Sequence, residues 1–237
     1  MMRYKRPSRD AKSCVSTSCV STPHAPIYVA LIDYGAGNVR SVHKAMTAVG
    51  AEVAVTRDPD VVLAADKVVL PGVGAFGDCM EGLQRAGLIA SIHQVVQRGT
   101  PFLGICVGMQ VLFEVGEEMG EHNGLGLLPG RVVRFDFSER ASECESPRLK
   151  IPHTGWNQIE PQVPCALLRD LPHGAWAYFN HAYHAQPREA HVLAVTDYGG
   201  PFASVVGYKN VYGIQFHPEK SQQVGLHVLH NFVNNDK

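Results

Sequence analysis

From residue 27 onward the chain alternates short apolar runs with stretches of helical periodicity, and this alternation constrains the fold more than any single residue does. IYVALID (27–33) is followed by the glycine loop YGAGN and then by Val39, Val42, Met46 and Val49 at helical spacing. AEVAVT (51–56) and KVVLPG (67–72) read as further strands, residues 78–98 as helical, and PFLGIC (101–106) as a short strand feeding another helix. Strands that are apolar throughout and separated by helices imply a parallel sheet covered on both faces. After about residue 125 the texture changes. GRVVRFD, GAWAYFNHAYHA, HVLAVTD, FASVVGYKN and VYGIQFH are strand-like and divided by turn residues, with YKNV closing a hairpin, and residues 223–233 close the chain as a helix. The expected class is therefore α/β: a central, mostly parallel sheet with helices on both faces and a β-rich C-terminal half.

A chain of 237 residues, 45% hydrophobic, suits one large α/β domain, expected over residues 27–237. The first 26 residues carry five of the basic side chains, one acid and many Ser, Thr and Pro. That segment has little to bury and is expected to be disordered; its basic, hydroxyl-rich composition also suits a transit peptide, although no amphipathic helix accompanies it. Without it the balance is acidic, which disfavours nucleic acid as a partner. No apolar run is long enough for a membrane span and no secretory signal is evident, so a soluble protein is expected. Cys14, Cys19, Cys79, Cys106, Cys144 and Cys165 form no close repeated spacing, which favours reduced thiols and a cytoplasmic location.

Gly104-Ile105-Cys106-Val107-Gly108 has the form of a nucleophile elbow, a strand-to-helix turn that holds a reactive atom clear of the backbone. A helix N-terminus there would favour the thiolate. The bland alternative is that Cys106 is a small buried hydrophobe. A thiol nucleophile needs a base and a group to orient it, and GIQFHPEKS (213–221) offers His217 and Glu219 two residues apart. In an extended segment, which Pro218 favours at His217, the two side chains leave the same face. His181 and His184 have HxxH spacing, but no further ligand accompanies them, so no metal is expected. Neither YGAGN nor LPGVGAFG has the form of a nucleotide-binding loop, and no cofactor is expected.

LGICVGMQ followed more than a hundred residues later by GIQFHPEKS resembles the catalytic triad of the class I glutamine amidotransferases. IDYGAGNVRSV, LPGVGAFGDCM, GLGLLPGRVVRF, IPHTGWN and YFNHAYH follow in the order found in one branch, the glutaminases that serve imidazole glycerol phosphate synthase; the likeness spans residues 28–233. The resemblance implies that Cys106 attacks the side-chain amide of glutamine, that His217 passes a proton to the departing ammonia, and that Glu219 orients His217. It implies an oxyanion hole from the backbone of Val107 with Val73 or Gly74, and glutamine contacts from Gln110, Gly72, His181, Ala182 and Tyr183. Asn180 and Ala182 depart from the usual Val-His-Ser-Tyr form of that last loop. A peptide flanked by Gly72 and Gly74 can flip readily, so the hole is expected to be incomplete until a partner docks.

Nothing in residues 27–237 is left over to build a synthase for the ammonia. The resemblance implies a heterodimer with the HisF cyclase, a (β/α)8 barrel, which together would convert N′-phosphoribulosyl-formimino-AICAR to imidazole glycerol phosphate and AICAR in histidine biosynthesis. The expected interface holds Tyr34, Gly35, Asn38, Trp156, Asn157 and Lys220, with YGAGN and HTGWN as its loops. Three other readings stand beside this one: a similar glutaminase serving another synthase, a non-catalytic regulatory subunit, and a partner-independent thiol hydrolase of γ-glutamyl compounds.

Overall fold

The computed structural model describes residues 26–138 and 149–234. The N-terminal segment apart from Pro26, and with it Cys14 and Cys19, lies outside the described residues, as does Cys144.

The chain opens with β1 (Tyr28–Ile32), α1 (Val39–Ala48), β2 (Glu52–Thr56), α2 (Pro59–Ala64) and β3 (Lys67–Gly72). Helix α1 turns Val42, Ala45 and Met46 inward at the three- and four-residue spacing of one helical face. Helix α2 was not anticipated, although its start carries a clear signal: the Asp58 carboxylate accepts from the Asp60 amide at 2.9 Å and Pro59 occupies the first turn. The expected single helix over 78–98 is two, α3 (Phe76–Arg85) and α4 (Ile89–Gln97). The break falls at Gly87, whose φ of 68° ends the first helix in a conformation glycine adopts without strain. Then come β4 (Phe102–Cys106) and the single turn α5 (Val107–Gln110).

The second half supplies β5 (Val115–Gly116), β6 (His122–Asn123), β7 (Gly130–Arg134), β8 (His153–Pro161), β9 (Ala175–His181), β10 (Tyr183–Pro187), β11 (Val192–Asp197), β12 (Pro201–Tyr208), β13 (Val211–Ile214) and α6 (Gln222–Asn234). Nine strands form one sheet in the order β2-β1-β3-β4-β13-β12-β11-β8-β9, and β10-β7-β5-β6 form a smaller one. From β2 to β13 the pairs are parallel; from β13 to β9 they are antiparallel. The sheet is thus more evenly mixed than the expected mostly parallel one. The run GAWAYFNHAYHA is two strands, because the chain leaves the large sheet at Ala182 and enters the small one. HTGWN, expected as a loop, lies inside β8 and pairs with β9 from His153↔His181 to Asn157↔Ala177.

The core follows from the strand compositions. All positions of β3 and β4 are buried, and Leu70, Phe102, Leu103 and Ile105 sit against Leu83, Ile92 and Met109 in one continuous apolar cluster. Burying each such aliphatic side chain contributes about 1.5–3 kcal/mol. Among the described residues no helix is long and apolar enough to cross a membrane. This core matters to function because β4 lies between β3 and β13 at the middle of the sheet, and Cys106 stands at its carboxyl end, where open α/β sheets bind their ligands.

Candidate active site

Strand β4 stops and α5 starts within one residue, and the bend is concentrated on Cys106, with φ 56° and ψ −115°. A non-glycine residue there carries strain of about 1–3 kcal/mol, a cost tolerated where the surroundings fix the turn. The surroundings here are backbone packed directly on backbone. A methyl group on Gly108 would collide with the Leu70 carbonyl, and one on Gly104 would collide with the Gly108 carbonyl. The flanking glycines therefore serve close approach. Since α5 is only one turn long, its dipole is too short to be the main support for a thiolate.

The basic group at the site is His217, three residues beyond the end of β13, which lines the same cavity as Cys106. Its Nδ1 lies 3.0 Å from Glu219 Oε1, and the same oxygen accepts from Asn38 Nδ2 at 3.1 Å. The pairing does not arise from an extended segment, as the sequence suggested. Pro218–Lys220 form a 3-10 turn that folds Glu219 back onto His217, while the Ser221 hydroxyl donates to the His217 carbonyl at 2.6 Å. Burial acts to lower the His217 pKa, but hydrogen bonds and charges from Cys106 and Glu219 outweigh it and raise it to about 10. Burial likewise opposes ionisation of Glu219, yet His217 and Asn38 hold its pKa below the usual value. His217 and Glu219 can therefore sit as an imidazolium and a carboxylate.

A cavity of about 190 Å³ opens on the Cys106 sulfur, lined among others by Val73, Val107, Gln110, Glu118, Ala182 and His217. It is smaller than the roughly 300–1,000 Å³ of pockets for drug-sized ligands and is of the order a single amino acid needs. A larger cavity, about 360 Å³, lies at the opposite ends of the central strands around Lys67 and Phe232, away from Cys106, His217 and Glu219. Gly74, Asn180, His181, Tyr183 and Lys220 also line the smaller cavity; Gly72 does not, being pressed against the Val107–Gly108 backbone from behind.

Gln110 donates through Nε2 to the Tyr183 carbonyl at 3.0 Å and to Gln215 Oε1 at 3.2 Å, which uses both amide hydrogens and leaves Oε1 as the group open to the cavity. Gln215, in turn, points Nε2 at the Cys106 sulfur, 3.8 Å away. Sequence reasoning missed Gln215, although a signal existed: alternation along an extended segment sets it on the same side as His217, and a fully buried glutamine needs polar neighbours. Glu118 was also missed. Its Oε2 accepts from the Phe76 amide at the start of α3 at 2.8 Å, which holds a carboxylate at the cavity wall. His181 also lines the cavity, with both ring nitrogens engaged elsewhere, by His153 and the Tyr183 carbonyl.

The residues expected at a partner surface divide into two groups. Trp156 is 44% exposed and stacks edge-on to Tyr178, over whose ring Lys220 sets its ammonium at 5.5 Å. Gly35 is exposed beside the partly buried Asn38. Tyr34 and Asn157 are turned inward. The Tyr34 ring is buried against Gly82 and its hydroxyl makes no hydrogen bond of normal geometry; burial beside Cys79 pushes its pKa up. The Asn157 amide is turned inward to His153 and the Asp197 carbonyl.

Comparison with known proteins gives the family and the fold. The family model described as glutamine amidotransferase class-I matches residues 30–235. The imidazole glycerol phosphate synthase subunit HisH of Syntrophotalea carbinolica is 51% identical over 207 residues, covering 86% of this chain and 98% of that one. The subunit of the same name from Desulfitobacterium hafniense is 50% identical over 212 residues, covering 88% and 96%. A crystal structure of a glutamine amidotransferase superposes with a TM-score of 0.64 at 19% identity, covering 86% of this chain and 98% of that one. PurLQS from Thermotoga maritima does so with a TM-score of 0.64 at 16% identity, covering 88% and 98%. At such identities the structures speak for the fold alone.

Proposed function

The chain belongs to the class-I glutamine amidotransferase family, and from that membership we propose a mechanism and a set of residue roles for its glutaminase activity. It is the glutaminase subunit of imidazole glycerol phosphate synthase and acts in histidine biosynthesis. The observation that carries the mechanism is that Cys106 and His217, the latter backed by Glu219 at 3.0 Å, line one amino-acid-sized cavity.

Cys106 attacks the side-chain carbonyl carbon of glutamine as the thiolate, and the C=O electrons move onto oxygen. The Val107 amide, first in α5, stabilises that oxyanion. His217 then gives its proton to the departing nitrogen, so the C–N bond breaks and ammonia leaves behind a glutamyl thioester. Water attacks the thioester with His217 now as base, releasing glutamate and restoring the thiol. Glu219 keeps the imidazole oriented and favours its charged form. Gln110 Oε1 accepts from the substrate amide, Glu118 offers a carboxylate to the α-ammonium group, and the main chain of residues 180–183 forms the facing wall. The Val73–Gly74 peptide supplies a second oxyanion donor once a partner docks; Gly74 has a φ of 88°, a conformation from which glycine can turn over without strain.

The partner is the HisF cyclase, which takes up the ammonia. What supports this reading is that relatives at about this identity are named as a subunit, together with the exposed Trp156 and Lys220, which pack on the half-buried Tyr178 beside the catalytic His217. An aromatic and a charge on one face suit an interface anchor. The location is cytoplasmic, consistent with a reduced Cys106. To test the function, the protein is mixed with the cyclase, and glutamine is compared with ammonium salt as the nitrogen source. Glutamine supports imidazole glycerol phosphate formation only when this chain is present; synthesis from glutamine by the cyclase alone would contradict the assignment. If the isolated chain hydrolyses glutamine as fast as the liganded complex, the docking-dependent oxyanion hole is wrong.

A further inference from the structure

Two buried imidazoles, His153 and His181, take no part in the chemistry above, yet their hydrogen bonds lead from β8 into the cavity wall. At the outer end, Gln158 N–H donates to Asn157 Oδ1 at 2.8 Å and the Asp197 carbonyl accepts from Asn157 Nδ2 at 2.8 Å. Backbone groups cannot exchange donor for acceptor, so the Asn157 amide is fixed with Nδ2 toward His153 Nε2, 3.3 Å away, and that nitrogen must accept. At the inner end, the Tyr183 carbonyl can only accept, so His181 Nδ1, 2.8 Å away, must donate. The bond between the rings, His153 Nδ1 to His181 Nε2 at 3.1 Å, then runs in one direction only, with His153 donating. Each ring carries one proton, on Nδ1.

The surroundings hold the rings in these roles. His153 is stacked on Phe179 and on Tyr198, whose centroid is 3.9 Å from its own, and His181 packs between Phe135 and Phe202. Burial lowers the pKa of His153 to about 4 and of His181 to about 3, so both are neutral near pH 7. The Tyr183 carbonyl at the end of the chain is the atom that also accepts from Gln110.

We propose that His153 and His181 are positioning residues: the one-way chain from Asn157 through both rings fixes the Tyr183 carbonyl, hence the Gln110 amide with its oxygen toward the cavity, and so sets the preference for an amide over a carboxylate. Were His181 to carry its proton on Nε2, its Nδ1 lone pair would face the Tyr183 carbonyl and push it from Gln110. With Gln110 Oε1 aimed at the ligand, the NH2 group of glutamine meets an acceptor, while a carboxylate oxygen of glutamate meets a like partner and is expelled. The proposal rests on Gln110 as the acceptor for the substrate amide.

The test uses His153→Asn, which keeps a donor at the Nδ1 position, and His153→Gln, which places its amide at the Nε2 position and loses that donor. With the full chain in complex with the cyclase, glutamine consumption gives KM for glutamine and Ki for added glutamate. His153→Asn keeps the ratio of the two constants; in His153→Gln the discrimination falls about fivefold to tenfold, the change produced by one misdirected hydrogen bond. A merely structural role would move KM and Ki together, and equal ratios in the two variants would overturn the proposal. Gln110→Met separates the premise: if it loses the discrimination while the His153 variants match, only the relay is wrong; if it keeps it, the reading of Gln110 fails and the relay's purpose with it. Nitrogen NMR of the unaltered protein gives an independent result, with both rings protonated on Nδ1; an Nε2–H tautomer on either would refute the direction of the chain.

Discussion

Replacing Glu219 by glutamine isolates the charge behind His217 while leaving shape and acceptor in place. In the native site Glu219 is almost wholly buried, and its Oε1 accepts from both His217 Nδ1 and Asn38 Nδ2. A glutamine oxygen can accept the same two bonds, but the bond from the imidazolium then ends on a neutral acceptor. An opposite charge this close shifts a pKa by about 1–3 units, and the retained hydrogen bond keeps the loss at the low end, so the imidazolium loses about 1–2 kcal/mol of support. At about 1.4 kcal/mol per factor of ten, the thiolate–imidazolium pair falls about fivefold to thirtyfold. The His217 pKa stands raised at about 10, and the imidazolium is lost as pH rises through it. Removing the charge lowers that pKa, so the alkaline limb of the rate profile moves down by about one pH unit. Glu219→Ala removes the acceptor as well and leaves two buried donors unpaired; breaking a buried pair costs about 3–5 kcal/mol, and activity falls about a hundredfold or more. The assay is glutamine hydrolysis in the complex from about pH 6 to pH 11, beside both variants. A Glu219→Gln enzyme with the native rate and an unmoved alkaline limb, or one as impaired as Glu219→Ala, would refute the reasoning.

Other consequences can be measured on stability and binding. Gly108→Ala drives a methyl into the Leu70 carbonyl, where backbone on both sides cannot yield, and lowers unfolding free energy by about 1–3 kcal/mol or more in denaturant titration. The depressed pKa values of His153 and His181 mean that their contribution to stability is present above their ordinary value of 6.5 and is lost as pH falls from there toward 4 and 3. Thermal unfolding followed down from pH 6.5 should therefore show a shallower loss of Tm in His153→Asn than in the native protein. Trp156→Ala removes the exposed aromatic proposed as the interface anchor, and the expected outcome is cyclase binding weakened by more than about 1 kcal/mol, read by calorimetry.

How far the sequence leads depends on whether a signal is local. The strands from 27 to 106 are mostly apolar and announce a buried parallel sheet, and the Gly-x-Cys-x-Gly turn announces where that sheet presents a thiol. The split of GAWAYFNHAYHA between two sheets is not local: a continuous β pattern says nothing of which neighbour each half pairs with, and the exchange at Ala182 depends on β7 and β8. The inward turn of Asn157 and the burial of Tyr34 were hidden for the same reason, since a polar side chain in an aromatic setting reads as surface until its partners are known. His217 and Glu219 were found by spacing, but a 3-10 turn, and not an extended strand, brings them together. Gln215 and Glu118 lay in plain view and were passed over because each acts through a residue distant in the chain.

The central claim is that Cys106 makes ammonia for a second protein. It is tested most directly with Cys106→Ala in the complex, measuring imidazole glycerol phosphate formation from glutamine and, separately, from ammonium salt. Synthesis from glutamine is lost and synthesis from ammonium is kept, because the thiol is removed while the partner's own site is untouched. Loss of both would mark Cys106 as a structural residue, and retention of glutamine-dependent synthesis would contradict its role as nucleophile.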